Sequence, residues 1–150
     1  MHSVLEIFQN KILICAAVAW FLAQAIKIPT YWFVERKWEW KRFWGSGGMP
    51  SSHTAFVVSL ATITGFMEGF NTAIFALCVI FASVVMYDAT GVRRETGNQA
   101  EVINKILRNV FVNGKPIAED ELKELVGHKP VEVLGGVIVG LITAAIFLAF

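Results

Sequence analysis

The 150-residue chain has few of the residues that build disulfide, metal or nucleotide sites. It contains two cysteines, Cys15 and Cys78, and both fall inside long apolar runs, as small buried residues do. Their spacing predicts neither a disulfide framework nor a metal site. The sequence has no Walker-type phosphate loop, internal repeat, low-complexity tract or interdomain linker. We therefore expect one domain over residues 1–150, with no metal, no cofactor and no nucleic-acid partner.

Apolar residues make up 55% of the chain and are gathered into runs over residues 11–28, 54–70, 72–90 and 131–150. Each run is close to the roughly 20 residues that cross a ~30 Å hydrocarbon core. The first run lacks a basic flank and a convincing cleavage site, so we interpret it as a helix of the mature chain rather than a signal peptide. The sequence predicts an all-α, multi-pass membrane protein with about four transmembrane helices and short amphipathic helices.

The basic residues are unevenly distributed along the chain. With four spans, residues 28–53 and 91–130 lie on one side of the membrane, and of the 13 lysines and arginines only Lys11 falls clearly on the other side. The positive-inside rule therefore predicts that both long loops face the cytoplasm. Four tryptophans follow the first run and predict an aromatic belt at the headgroup level: Trp32, Trp38, Trp40 and Trp44.

The third and fourth runs are separated by the largest polar region of the chain. Within it, residues 98–111 carry an apolar stripe that predicts an amphipathic helix lying on the bilayer or on the other helices: Val102, Ile103, Ile106, Leu107, Val110 and Phe111. Asn113-Gly114 is a turn signal, and residues 117–126 predict a short acidic helix. These features give the region secondary structure of its own.

A glycine-rich turn precedes the second apolar run and is the strongest functional signal in the sequence. It reads Gly47-Gly48-Met49-Pro50-Ser51-Ser52-His53. Glycines allow close approach of the backbone to an anion, and Pro-Ser-Ser favours a helix start. The first turn of a helix presents unpaired N–H groups and a positive dipole end. We therefore predict a phosphate site here, with His53 placed to donate a proton to a bound ester.

Other polar residues are predicted to reach the same membrane face. His128 opens the last run, and Glu132 follows one helical turn later on the same side, where a carboxylate can orient an imidazole. Asp88, Arg93 and Arg94 end the third run. Lys27, with Gln24 one turn before it, ends the first.

Each of these residues also has a structural interpretation. A lone interfacial histidine is more often structural than catalytic, Ser51 alone is a helix cap, and an arginine pair anchors topology. Glu132 alone complements a helix N-terminus. The joint arrangement of a glycine-rich turn, two histidines, a carboxylate and paired arginines favours a phosphate site over these separate explanations.

The motifs resemble those of the phosphatidic acid phosphatase type 2 and vanadium haloperoxidase superfamily. Its divergent membrane branch, the acid phosphatase/vanadium-dependent haloperoxidase-related proteins, is similar to this chain in three blocks. They are residues 47–53, residues 88–100 with Asp88, Arg93, Arg94 and Gln99, and residues 122–132 with His128 and Glu132. The resemblance covers nearly the whole chain and implies a metal-independent phosphohydrolase.

The resemblance also implies a role for each residue. His128 is the nucleophile that forms a phosphohistidine, Glu132 orients it, and His53 protonates the leaving oxygen. The phosphate-binding set is Ser51, Ser52, Arg93, Arg94, Lys27 and Lys123, and the supporting residues are Gly47, Gly48, Asp88 and Gln99. Lys27 or a loop cation replaces the superfamily's absent first motif. Lys123 or the arginine pair replaces its missing arginine, since Leu122 occupies that position.

These roles predict hydrolysis of a lipid phosphate or diphosphate, with membrane lipids as the other partners. Two alternatives remain open at the level of sequence. One is a non-catalytic lipid-phosphate binder or transporter, in which the same cations hold a headgroup without cleaving it. The other is a structural or assembly subunit that docks a partner through residues 95–130. The oligomeric state is open as well.

Overall fold

The computed structural model describes residues 4–36, 43, 48–109, 111–112, 115–116 and 128–150. A 3-10 helix, Val4–Gln9, precedes α1, which covers Lys11–Glu35. The remaining elements are α2 (Ser52–Glu68), α3 (Ala73–Thr90), α4 (Val92–Asn109), β1 (Phe111–Val112), β2 (Lys115–Pro116) and α5 (Pro130–Ala149). The described part of the chain is therefore all-α apart from one hairpin, whose two strands have two residues each.

Side-chain caps explain where several helices begin. The Asn10 side chain accepts a hydrogen bond from the Leu13 N–H at 3.0 Å, and the Thr72 hydroxyl accepts one from the Phe75 N–H at 3.3 Å. Each cap satisfies one of the N–H groups that a helix leaves unpaired in its first turn. At the other end of α2, Gly69 has φ +100°, a conformation that favours glycine and ends the helix.

Helix α2 is the centre of the bundle and packs against α1, α3 and α5. One core cluster joins Cys15 of α1, Ile63 of α2 and Ala144 of α5. A second joins Ala23 of α1 to Ala55 of α2. Cys15, near the start of α1, contacts Ile63 in the second half of α2, whereas Ala23, further along α1, contacts Ala55 near the start of α2. The two helices are therefore antiparallel. Helix α5 runs parallel to α2, because its start lies at the start of α2 and Ala144 lies beside Ile63.

Three helical stretches of the described chain are long and apolar enough to cross a membrane: Lys11–Phe33, Ala73–Ile106 and Pro130–Ala149. The second stretch runs from α3 into α4. The remaining predicted span, residues 54–70, forms α2, which has 17 residues and occupies the middle of the bundle. Large apolar side chains point outward from α3, with Leu77 66% exposed and Ile80 62% exposed. Such a surface suits lipid rather than water. The chain is an all-α integral membrane protein.

The polar region differs from the sequence prediction in its details. The amphipathic helix starts at Val92 and ends at Asn109, so the predicted bounds of 98–111 were wrong at both ends: the helix starts earlier, and Phe111 belongs to β1. The strands pair antiparallel around the predicted turn, with Phe111 opposite Pro116 and Val112 opposite Lys115. The predicted acidic helix and Trp38, Trp40 and Trp44 lie outside the described residues.

The part of the apolar stripe whose side chains the structure describes does not pack on the other helices. Val102, Ile103 and Ile106 are exposed, which agrees with the alternative that the stripe lies on the bilayer. The buried side of α4 instead carries small and polar residues, among them Ala100 and Asn104. The helix therefore presents its most apolar side outward, as expected at a membrane surface.

Candidate anion-binding site

Hydrogen bonds tie the helix ends together at one end of the bundle. The Ser51 N–H donates to the Glu132 backbone carbonyl at 2.8 Å, which joins the starts of α2 and α5. The His128 N–H donates to the Ala89 carbonyl near the end of α3 at 3.0 Å. Because α2 and α5 both begin here, the positive ends of two helix dipoles face the same region. An anion is the ligand that such an arrangement favours.

The turn before α2 is fixed by its glycine and by α1. Gly48 has φ +87°, which side-chain-bearing residues rarely adopt, and Pro50 is buried behind it. The Thr30 hydroxyl of α1 donates to the Met49 carbonyl at 2.6 Å. This bond holds the turn against α1. Gly47 lies outside the described residues.

The first turn of α2 contains two serines with different roles. The Ser51 hydroxyl is the helix cap: it accepts hydrogen bonds from the Thr54 N–H at 3.4 Å and from the Thr54 hydroxyl at 3.0 Å. Ser52 is 1% exposed, and its hydroxyl has no hydrogen-bond partner among the described residues. His53 is exposed. Successive helix residues are rotated by about 100°, so Ser52 and His53 leave the helix in different directions.

Helix α1 contributes a buried cation. Lys27 is 4% exposed, and Gln24, one turn before it, is 5% exposed. The Lys27 ammonium group and the Glu132 carboxylate lie close enough to attract each other electrostatically. A buried lysine needs such a partner or an anion, because removing an ammonium group from water is costly. The site therefore has positive charge at the level where α2 and α5 begin.

Helix α5 begins just after His128, which is 3% exposed. The Glu132 carboxylate is half-buried and accepts a hydrogen bond from the Lys129 N–H at 3.2 Å. This contact caps α5 in its first turn. Glu132 thus links the start of α5 to Lys27 by charge and to α2 through its carbonyl.

The other predicted residues that the structure describes lie on α3 and α4. Asp88 is half-buried near the end of α3, whereas Arg94 and Gln99 are exposed on α4. The side chain of Arg93 and the whole of Lys123 lie outside what the structure describes. The described cluster therefore consists of Lys27, the first turn of α2 and the start of α5.

Two glycines of α5 allow it to approach α2 closely. A Cβ atom on Gly136 would overlap the Ser51 carbonyl and lie 2.7 Å from the Thr54 Cβ. A Cβ atom on Gly140 would lie 2.8 Å from the Ala55 carbonyl oxygen. Small residues at such positions are typical of helix contacts in membranes. Here they bring the start of α5 against the start of α2.

The sequence interpretation missed some residues that hold the site together. Thr30 lies one turn after Lys27, so its spacing was an available signal, and Thr54 follows the cap residue at the usual distance of three. Asn104 is 1% exposed within α4, in an otherwise amphipathic stretch. Nothing in its local sequence marks it as buried.

The sequence was also compared with known protein families, proteins and solved structures. The model of the divergent PAP2 family matches residues 8–143. The uncharacterized membrane protein YuiD of Bacillus subtilis (strain 168) is 39% identical over 156 residues, an alignment that covers 97% of this chain and 99% of that protein. No solved structure matches the chain.

Proposed function

The chain belongs to the divergent PAP2 family, and from this premise we propose that it is a membrane-embedded, metal-independent phosphohydrolase. PAP2 stands for phosphatidic acid phosphatase type 2. The substrate is a lipid phosphate or diphosphate, and the reaction passes through a phosphohistidine on His128. The whole chain, residues 1–150, acts as one domain.

One observation carries the proposal: the Ser51 N–H donates to the Glu132 carbonyl at 2.8 Å. This bond brings the Pro-Ser-Ser-His block and the His-Lys-Pro block, which are far apart in the sequence, to one end of the bundle. Lys27 and His128 are buried at that end. A buried cation, two helix starts and an imidazole are the groups that phosphoryl transfer needs for charge stabilisation and attack.

The proposed reaction has two steps. A ring nitrogen of His128 attacks phosphorus, the bond from phosphorus to the leaving oxygen breaks, and His53 protonates that oxygen. Water then attacks the phosphohistidine, giving its proton to His53, and the phosphorus–nitrogen bond breaks to release inorganic phosphate. Lys27, Ser52 and the first-turn N–H groups of α2 stabilise the charge on the phosphoryl oxygens throughout.

Arg93, Arg94 and Lys123 are proposed to add positive charge from the loops. Glu132 orients His128, and Asp88, Gln99 and the glycine turn support the site. The amphiphilic substrate is inferred from the outward-facing apolar side chains of α3, which suit contact with lipid. By the positive-inside rule, the site loops of this multi-pass protein face the cytoplasm.

A second candidate function is favoured by the position of His53. Its side chain is exposed, whereas His128 is buried, so the acid and the nucleophile have different surroundings in this conformation. A lipid-phosphate binder or transporter requires the cation and the helix starts but needs no general acid. In this alternative the protein binds the same lipid phosphate but does not cleave its phosphate ester bond.

The test is phosphate release by the detergent-purified protein from a panel of lipid phosphates and diphosphates. Wild type is compared with His128→Ala and His53→Ala, with and without a chelator and vanadate. His2→Ala serves as the matched control for loss of a histidine. We expect chelator-resistant, vanadate-sensitive release that is lost in His128→Ala and His53→Ala and retained in His2→Ala.

Two other results would change the conclusion. Release that survives in His128→Ala would refute the phosphohistidine step. Binding of lipid phosphates by a folded wild type that releases no phosphate from any substrate would replace hydrolysis with the binder or transporter function.

A further inference from the structure

Gln24 presents a buried acceptor that the proposed mechanism does not use. Its side chain is 5% exposed, and its Oε1 atom has no hydrogen-bond partner among the described residues. A buried amide oxygen without a partner is costly, because it has given up its hydrogen bonds to water and gained none in return. Native proteins rarely retain such groups without a reason, and a ligand contact is one such reason.

The packing of α1 on α2 places Gln24 at the level of the candidate site. On one side of it, Ala23 packs against Ala55. On the other side, the Thr30 hydroxyl bonds to the Met49 carbonyl. Because the helices are antiparallel, the stretch of α1 between these contacts lies at the level of the first turn of α2. Gln24 and Lys27 both lie in that stretch.

The chemistry of Gln24 differs from that of its neighbours. Lys27 and the N–H groups of the α2 start are donors, which suit phosphoryl oxygens. An amide oxygen is an acceptor, and it needs an N–H or O–H group opposite it. A fully ionised phosphate group cannot supply one. The acceptor beside Lys27 therefore indicates a ligand that carries a hydroxyl close to its phosphate.

We propose that Gln24 is a specificity residue whose Oε1 accepts a hydrogen bond from a hydroxyl group of the bound phosphate compound. The inference rests on the proposed function and names part of its substrate class. The hydroxyl comes from a singly protonated phosphoryl group or from the alcohol portion of the headgroup. In both cases the ligand O–H donates and Gln24 accepts.

The test uses the full-length protein in detergent with two ligands of matched acyl chain. One is 1-acylglycerol 3-phosphate, which has a free glycerol hydroxyl, and the other is 1,2-diacylglycerol 3-phosphate, which has none. Dissociation constants and ligand-free Tm are measured for wild type, Gln24→Met and the control Ile26→Met. Ile26 lies on the exposed side of α1, so its substitution tests the change to methionine alone.

We expect Gln24→Met to weaken binding about three- to tenfold, the effect of one hydrogen bond, with a Tm equal to or above that of wild type. The Tm prediction follows because the substitution removes an unpartnered acceptor and keeps an unbranched side chain of similar length. A loss confined to the monoacyl ligand assigns the hydroxyl to glycerol. An equal loss for both ligands assigns it to the phosphoryl group.

Unchanged affinity in Gln24→Met would overturn the inference, and so would a Tm several degrees below wild type, because the amide would then be a structural contact. Lys27→Met separates this failure from failure of the proposed function. If Lys27→Met loses binding while Gln24→Met does not, the phosphate site is supported and the proposed role of Gln24 is refuted. If wild type binds neither ligand, both fail.

Discussion

Replacing Gly136 by alanine should separate the starts of α2 and α5. The added Cβ would lie 2.7 Å from the Thr54 Cβ, whereas ordinary contacts begin near 3.4 Å, so the helices must move apart by about 0.7 Å. The same atom would overlap the Ser51 carbonyl, which belongs to the helix cap. The substitution therefore strains both the packing and the candidate site.

The expected cost follows from two opposing effects. Overpacking of a well-packed contact costs about 1–3 kcal/mol. Alanine is favoured over glycine inside a helix by about 1 kcal/mol, which offsets part of that cost. Because the added atom would overlap a backbone carbonyl, the overpacking cost of Gly136→Ala falls in the upper part of that range, about 2–3 kcal/mol. The net loss in the free energy of unfolding is therefore roughly 1–2 kcal/mol, or about a 5- to 30-fold fall in the folded-to-unfolded ratio.

Gly135→Ala is the matched control at the adjacent position. Its Cβ would lie 3.3 Å from the Pro50 Cβ and 3.6 Å from the Met49 Cγ, distances that need only a small adjustment of side chains. We expect the control to stay within about 0.5 kcal/mol of wild type, since helix propensity and slight crowding nearly cancel.

Both variants can be measured by titrating the protein in mixed micelles with a denaturing detergent while following helical circular dichroism. Binding of lipid phosphate to the folded fraction reports on the site in the same samples. The reasoning would be refuted if Gly136→Ala were as stable as Gly135→Ala and bound the ligand equally well.

Four further substitutions separate structural from binding roles. Thr30→Val removes the hydroxyl bonded to the Met49 carbonyl at 2.6 Å and should lower the free energy of unfolding by about 1 kcal/mol, measured in the same titration; no change would show that this bond does not hold the turn. Ser51→Ala should cost about 1 kcal/mol by loss of the helix cap. Ser52→Ala should leave stability unchanged but weaken phosphate binding, because its hydroxyl has no partner among the described residues; equal stability losses in the two serine variants would contradict this distinction. Glu132→Gln should tighten binding of inorganic phosphate by removing a negative charge near Lys27, while slowing phosphate release; weaker binding would show that the carboxylate does not compete with the anion.

Much of the fold could be predicted from the sequence because helices in a membrane depend on local properties. Lengths of apolar runs indicated α1, α3 and α5, and Pro-Ser-Ser placed the start of α2 within one residue. Helix ends were less predictable. Helix α1 continues through Pro29 to Glu35, beyond the apolar run, and the Thr30 hydroxyl of this extension bonds to the Met49 carbonyl.

The arrangement of side chains around the site was less accessible from the sequence. Spacing indicated that Lys27 and Gln24 share a face, but it did not show that this face is covered by the start of α2. His53 and Ser52 are adjacent in the motif, yet one is exposed and the other buried. Because the two residues are neighbours in the motif, the sequence predicted that both belong to the site. In the helix their side chains point in different directions and therefore have different surroundings.

The sequence by itself determined that the chain is an all-α membrane protein, which family it belongs to, and where α1, α2, α3 and α5 start, because each depends on composition, motif or local hydrogen bonding. Tertiary structure decided that α2 and α5 run parallel, that their starts meet, and that Gln24 and Lys27 are buried between helices. The physical reason is that lipid-facing and helix-facing surfaces are both apolar. Hydropathy therefore marks a membrane helix without showing which of its sides another helix covers, and close contacts at Gly136 and Gly140 make that choice.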